Sequence, residues 1–305
     1  MTLASGLPRI DEIVAAALAE DLGVEADALL SGATGLLDQD VTGSLLPAGS
    51  QLRGVIHTRE DGVICGLPIA ERVFEMLAEA SGATPPECFP LVHEGAHVRA
   101  GDAVLEIEGD ARVVLAAERT ALDFLMVLSG IATRAAAWQA AAGAGMRVLD
   151  TRKTLPGLRA LSKYAVRTGG ASNHRMGLYD MVLIKDNHIR AAGGIPAAVA
   201  AAREKHPGLP VEVEADTAAQ AAEAASAGAN FVLLDNMDDA RLAEAIAAVR
   251  AATPAEGRCE VEASGGVTID RLPALARLGV DRVSSSALTF APPLDIGLDV
   301  EETPA

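Results

Sequence analysis

The chain has 305 residues, half of them apolar yet only 3% aromatic, and a formal net charge of −17. Such a length buries a sizeable core, as one large α/β unit or as two domains, with Ala, Val and Leu filling it. The acidic balance argues against general affinity for nucleic acid or anionic membranes, and no stretch approaches the roughly 18 uninterrupted apolar residues that span a bilayer.

Met1-Thr2-Leu3-Ala4-Ser5 lacks the basic start and apolar run of a signal peptide. Cys65, Cys88 and Cys259 show no CxxC spacing and read as small buried residues of a reducing compartment, so a cytoplasmic protein is expected. Ile10–Glu20 has the pattern of an amphipathic helix, and Asp21–Asp40 is acidic and Gly-rich without clear periodicity. Gln51–Cys65, Ala103–Ile107 and Arg112–Leu115 are strand-like, with a helix over Pro68–Ala80. Strands and helices mixed without βα regularity predict an α+β domain. His93-Glu94-Gly95-Ala96-His97 matches HExxH, a zinc pattern that needs a helix. Gly95 interrupts it and Pro90 precedes it, so a hairpin with solvent-facing histidines is expected instead. An Ala- and Leu-rich helical region, Ala116–Leu128 and Thr133–Ala142, follows. The domain boundary is placed near Ser129-Gly130, giving domains 1–129 and 130–288 and a tail 289–305 that packs back on the first.

From Met146 a short apolar run recurs: Met146–Asp150, Met181–Lys185, Val211–Glu214, Phe231–Asp235, Glu260–Ala263 and Arg282–Ser284. Between several of them lie helical patterns such as Ile195–Lys205, Thr217–Ala227, Ala240–Ala252 and Ile269–Leu278. This alternation predicts successive βα units on a parallel sheet. Six strands are fewer than the eight of a standard barrel, so an incomplete α/β barrel is expected. Arg152, Lys153, Lys185, Glu214, Asp235 and Ser264 stand at or just past strand ends. Parallel α/β folds place their active sites there.

Three of the four lysines lie between Arg147 and Arg190, a basic segment in an acidic chain. Arg152 and Lys153 are adjacent cations just past a strand, and Pro156-Gly157 turns the chain beyond them. Such a pair suits an anion, Arg as a planar fork for carboxylate and Lys as a point charge for phosphate. His174-Arg175 follows the Gly169-Gly170-Ala171 loop and extends the theme. Lys185 closes the next strand before Asp186 or Asn187, which could cap a helix. Glu214 and Asp235 must face a cation or solvent, and could bind Mg²⁺ through water or stabilise a developing positive charge. Ser264-Gly265-Gly266 can offer backbone N–H groups to a phosphate.

Glu118–Leu122, Leu128–Thr133, Asp150–Gly157, Asn173–Arg175, Leu183–Ile189, Val211–Glu214, Leu234–Met237, Glu262–Val267 and Leu294–Asp299 resemble quinolinate phosphoribosyltransferase. The resemblance runs from about Glu20 to Asp299. It implies an N-terminal α+β open-sandwich domain followed by a six- to seven-stranded incomplete α/β barrel, the type II phosphoribosyltransferase fold, in a homodimer that is sometimes assembled further. It implies that Arg152, His174, Arg175 and Lys185 hold the two carboxylates of quinolinate. Lys153 and Lys185 would contact phosphoribosyl pyrophosphate, Glu214 and Asp235 its ribose and Mg²⁺, and Ser264, Gly265 and Gly266 its 5-phosphate. Arg119 would reach the partner subunit's site. The chain departs from the family's pattern at Ser286, where Gly is usual and a side chain could crowd the phosphate or donate an extra hydrogen bond. It departs again at Ala171, at Phe290-Ala291 and in the long Val24–Gln39 segment.

Overall fold

A computed structural model of the chain describes residues 9–300, so the Met1–Ser5 start and the last five residues of the tail lie outside the described residues. Helix α1 (Ile10–Leu22) turns Val14, Ala15, Leu18, Ala19 and Leu22 inward, the spacing of one helix face. The aperiodic acidic stretch holds a short helix α2 (Ala26–Ser31) and one 3-10 turn at Leu36–Asp38. Elements this short show no periodicity in sequence. Strands β1 (Gln51–Thr58) and β2 (Gly62–Val63) lead to helix α3 (Leu67–Ser81), followed by β3 (Glu87–Pro90), β4 (His97–Val98) and β5 (Ala103–Asp110).

The HExxH match forms a tight turn, with Gly95 N donating to the Ile64 carbonyl at 2.8 Å, and both histidines are exposed. Glu94 instead accepts from the Gly66 and Leu67 N–H groups (2.7 and 3.1 Å) and from the Tyr164 hydroxyl (2.8 Å). A carboxylate at the start of α3 satisfies N–H groups that have no intrahelical partner. Arg112–Leu115, expected as a strand, are the first turn of the 32-residue helix α4 (Ala111–Ala142). Val113 and Val114 look strand-like, but Asp110 Oδ1 accepts the Arg112 N–H at 2.9 Å and caps a helix there. Ser129-Gly130 lies inside α4. At Gly130 a Cβ would sit 2.1 Å from the Pro292 carbonyl oxygen, so the glycine permits close backbone approach rather than ending the helix.

The second half continues with β6 (Arg147–Leu149), α5 (Arg159–Thr168), β7 (Val182–Ile184), α6 (Asp186–Ala192), α7 (Ile195–Lys205), β8 (Val211–Ala215), α8 (Ala218–Ser226) and β9 (Phe231–Asp235). Then come α9 (Asp239–Ala252), β10 (Glu260–Ser264), α10 (Leu272–Leu278), β11 (Arg282–Ser284) and β12 (Ile296–Val300). Side-chain caps start two of these helices, Thr217 for α8 and Asp238 for α9.

Two compact units result. One gathers the chain up to Arg134 with Leu155–Gly169 and the segment from Phe290; the other gathers Ala135–Thr154 and Gly170–Thr289. The changeover at Arg134 falls within α4, and α5 groups with the first unit although it lies between two barrel strands in sequence. The first unit holds an antiparallel sheet of order β12-β1-β5-β3, in which the last strand of the described residues pairs with the first. The second holds a six-stranded parallel sheet of order β6-β11-β10-β9-β8-β7. Its two edges, β6 and β7, are consecutive in the chain, so the sheet is open between them. Ser172 makes a single parallel bridge to Leu149 on the β6 edge.

Candidate active site

Strands of a covered parallel sheet usually read as continuous apolar runs. Here three strands of the six-stranded sheet, β8, β10 and β11, carry polar residues on one face. Val213, Val232, Val261 and Val283 are fully buried, while the alternate positions carry Glu212 and Glu214 on β8, Glu260, Glu262 and Ser264 on β10, and Arg282 and Ser284 on β11. Register sets Glu262 beside Arg282, Ser264 beside Asp235 and Ser284 beside Leu149.

Toward the C-terminal strand ends, Lys185 and Glu214 form an ion pair from neighbouring strands. His188 Nδ1 accepts the Lys185 N–H at 3.0 Å and fixes the start of α6. Lys153 is exposed, and its carbonyl accepts the Thr289 hydroxyl at 2.7 Å. Asp235 accepts from the Asn236 amide at 2.7 Å. Asn236 holds a left-handed backbone (φ 53) and donates its N–H to the Ser264 carbonyl at 2.9 Å. A Cβ at Gly265, whose φ is +82, would lie 2.3 Å from Asn236 Oδ1, so only glycine fits under that amide. Asn236 was not singled out in the sequence, though it sits inside the Leu234–Met237 motif. The Ser286 carbonyl accepts the Thr289 hydroxyl at 3.2 Å. Arg119 belongs to the first unit; its side chain is 57% exposed and meets Asp123 one turn on, at 3.3 Å.

His174 and Arg175 take a different position. Asp150, fully buried at the end of β6, accepts from Asn173 Nδ2 at 2.5 Å and from the His174 N–H at 2.9 Å. That anchors the turn. His174 Nδ1 accepts the Arg175 N–H at 2.8 Å, and Nε2 meets Glu212 at 3.0 Å and Glu262 at 3.5 Å. Both ring nitrogens therefore face partners within the protein. Arg175 donates to the Met181 carbonyl at 3.3 Å. It borders a cleft of about 380 Å³ together with Asn173, Phe231 and Arg282. Burial and the neighbouring Arg152 charge both lower its pKa. Arg152 Nε is buried and has no hydrogen-bond partner among the described residues.

The buried charges behind His174 balance. Arg282 donates to Glu262 at 2.6 Å, stands 4.0 Å from Glu212 and stacks over the Phe231 ring at 3.9 Å. Burial lowers the His174 pKa, but the nearby Glu212 and Glu262 carboxylates outweigh it and raise the pKa to about 9. The Arg175 N–H aimed at Nδ1 opposes protonation. A ring that accepts at Nδ1 carries its proton on Nε2 alone, so the hydrogen-bonded geometry is that of the neutral imidazole, with the two carboxylates pulling against it. Burial also raises both acids. In Glu262 the effect is overcome by His174 and Arg282, leaving it below the usual carboxylate range, whereas Glu212 stays above it. His174, Glu212 and Glu262 bring three potential metal ligands within 4.8 Å of one another, but Arg282 already supplies the cation there.

Neither histidine contacts nor buried acids of this kind were legible as a site. The signal was the acidic alternation of Val211-Glu212-Val213-Glu214 and Glu260-Val261-Glu262, unusual in a covered strand. No helix among the described residues is long and apolar enough to cross a membrane.

Residues 131–299 match the family described as quinolinate phosphoribosyl transferase, C-terminal domain, and residues 40–129 match its N-terminal domain. The chain is 43% identical over 257 residues to a probable nicotinate-nucleotide pyrophosphorylase (carboxylating) of Synechocystis, covering 83% of this chain and 84% of that one. It is 39% identical over 261 residues to the human nicotinate-nucleotide pyrophosphorylase (carboxylating), covering 84% of each. The crystal structure of NadC from Streptococcus pyogenes superposes with a TM-score of 0.83 at 36% identity, over 96% of this chain and 98% of that one. With both domains matched and relatives this similar over most of their length, the chain belongs to the quinolinate phosphoribosyltransferase family.

Proposed function

We propose that this protein transfers the phosphoribosyl group of phosphoribosyl pyrophosphate to quinolinate, releasing pyrophosphate and CO₂ and yielding nicotinate mononucleotide for NAD biosynthesis. The observation that carries the residue-level reading is a buried guanidinium nitrogen on Arg152 with no acceptor among the described residues, whose charge is felt by Arg175. Like charges that feel each other favour a dianion between them, and guanidinium forks match carboxylates. Arg152, Arg175 and Lys185 hold the two carboxylates, with His174 behind Arg175.

The quinolinate ring nitrogen attacks ribose C1 as the C1–O bond to pyrophosphate breaks. Glu214 and Asp235 face the positive charge that develops at the ribose, while Lys153 and Lys185 neutralise the departing diphosphate. Ser264, Gly265, Gly266 and Ser286 receive the 5-phosphate. The C2 carboxylate then leaves as CO₂. Its electron pair remains on C2, stabilised by the positive ring nitrogen, and a proton from solvent completes the product. Positioning and electrostatics supply the acceleration, with no side-chain acid needed before CO₂ departs.

Magnesium bound with the diphosphate supplies further charge neutralisation. Glu214 and Asp235 are hard oxygen donors on adjacent strands, and they would reach the ion through water because Lys185 already holds Glu214. The working unit is a cytoplasmic homodimer in which Arg119 enters the partner subunit's site. Purified protein given quinolinate, phosphoribosyl pyrophosphate and Mg²⁺ should release CO₂ and nicotinate mononucleotide in equal amounts. Consumption of nicotinate in place of quinolinate would overturn the assignment.

A further inference from the structure

An arginine that grips a substrate works only if its backbone is held still, since a flexible side chain on a loose turn loses the gain to entropy. The Asn173–Arg175 turn follows a glycine loop, and neither a helix nor a strand holds it. Two buried groups hold it instead. Asp150 takes the His174 N–H and the Asn173 amide. The His174 ring accepts the Arg175 N–H through Nδ1, while Nε2 lies 3.0 Å from Glu212 and 3.5 Å from Glu262. Those acids sit on β8 and β10, and Arg282 on β11 ties down Glu262 at 2.6 Å. Glu212 and Glu262 are fully buried and Arg282 is 5% exposed. Apolar residues dominate the interior of an ordinary α/β barrel, and a buried ion cluster is often no more stabilising than apolar side chains of the same volume. A cluster kept at that cost, and connected to Arg175 by one hydrogen bond, has a use beyond stability.

We propose that Glu212, Glu262 and Arg282 are positioning residues that act through His174 to hold Arg175 in place for a substrate carboxylate. Glu212 and Glu262 orient the imidazole, the imidazole orients the Arg175 backbone, and Arg282 balances the charge so that the acids can be buried. The assignment rests on Arg175 being a quinolinate ligand. Outer residues that orient a ligating group typically contribute about 10- to 100-fold, by analogy with metal sites.

The test is a double-mutant cycle on the full-length protein with Glu262→Gln and Arg175→Ala, reading KM for each substrate, kcat and the melting temperature. Glu262→Gln should raise KM for quinolinate roughly tenfold, leave KM for phosphoribosyl pyrophosphate unchanged, and add nothing further in the Arg175→Ala background. An unchanged quinolinate KM in Glu262→Gln, beside a raised one in Arg175→Ala, overturns the positioning role alone. So does full additivity. No effect of Arg175→Ala removes the substrate reading and the positioning role with it.

Should Glu262→Gln unfold, the charge-balanced Glu262→Met/Arg282→Met variant should fold and still bind quinolinate weakly. Recovery of both stability and wild-type KM would mark the cluster as structural only. In the wild type, the His174 Nε2 proton should be visible by NMR as a slowly exchanging signal, assigned by its loss in His174→Asn. Its absence in ligand-free protein also overturns the proposal.

Discussion

The Lys185 ammonium pairs with the Glu214 carboxylate across the neighbouring ends of β7 and β8, with the Glu214 side chain only 20% exposed. In the proposed reaction each group serves a different part of the substrate pair, and without substrate each holds the other. Lys185→Ala removes a cation from the anion pocket and leaves Glu214 without its counter-charge. The expected result is a fall of roughly 100- to 1000-fold in kcat/KM for phosphoribosyl pyrophosphate. The melting temperature should move little, because the Lys185 side chain is half exposed. Steady-state kinetics and a thermal melt on the same preparation check both.

In the proposed clamp, Arg175→Ala leaves the two quinolinate carboxylates to Arg152 and Lys185. Losing one partner of a desolvated charge pair costs about 2 kcal/mol or more, so quinolinate affinity should fall at least thirtyfold or so. Calorimetric titration with quinolinate measures this directly; unchanged affinity would remove Arg175 from the clamp.

Arg119 and Lys153 belong to different compact units. If Arg119 acts across the dimer, neither Arg119→Ala nor Lys153→Ala alone should be active. Mixed dimers of the two should recover one intact site, and activity should rise after the variants are mixed and exchanged. No recovery despite demonstrated subunit exchange would place Arg119 outside the partner's site.

Gly265→Ala should impair the phosphate loop. The new methyl would lie 2.3 Å from Asn236 Oδ1 at a φ of +82, a conformation costing a non-glycine residue about 1–2 kcal/mol before any clash. A lower melting temperature and a raised KM for phosphoribosyl pyrophosphate are expected, while Asn236→Gly combined with Gly265→Ala should relieve the steric part.

His174 has a pKa raised from 6.5 to about 9 in the folded chain. A group whose folded pKa is raised adds stability that is fully present below its unfolded pKa and lost as pH rises through the folded one. Glu212, Glu262 and Arg282 on one side and the Arg175 N–H on the other surround it. Protonation costs Nδ1 its bond from the Arg175 N–H, so a decline smaller than the full shift implies is expected between about pH 6.5 and pH 9. Denaturant unfolding at pH 6, 7.5 and 9 should show this slope in the wild type and a shallower one in His174→Asn.

Much of the second unit was legible in sequence because its cues are local. Phe231–Asp235 and Ile195–Lys205 were placed to the residue, since an apolar run bounded by turns and a helical repeat each announce themselves over a short window. Strand ends likewise identified Lys185, Glu214 and Asp235 as neighbours at one end of a sheet. The first half was less readable. Val113 and Val114 misled as a strand because β-branched residues favour one, while the Asp110 cap that overrides the preference is a single side chain. α2 was too short to show a period.

By itself, the sequence determined the order of βα units, the concentration of cations between Arg147 and Arg190, and the family motifs, all carried by spacing along the chain. Tertiary structure alone decided which charges meet. That Lys185 faces Glu214, that the Arg152 charge is felt by Arg175, and that His174 turns its ring onto Glu212 and Glu262 depends on strand register and on which face each side chain takes. A carboxylate inside a strand reads the same whether it faces water or a buried imidazole. Only the neighbouring strands, by excluding water and supplying Arg282, make Glu212 and Glu262 part of the machinery.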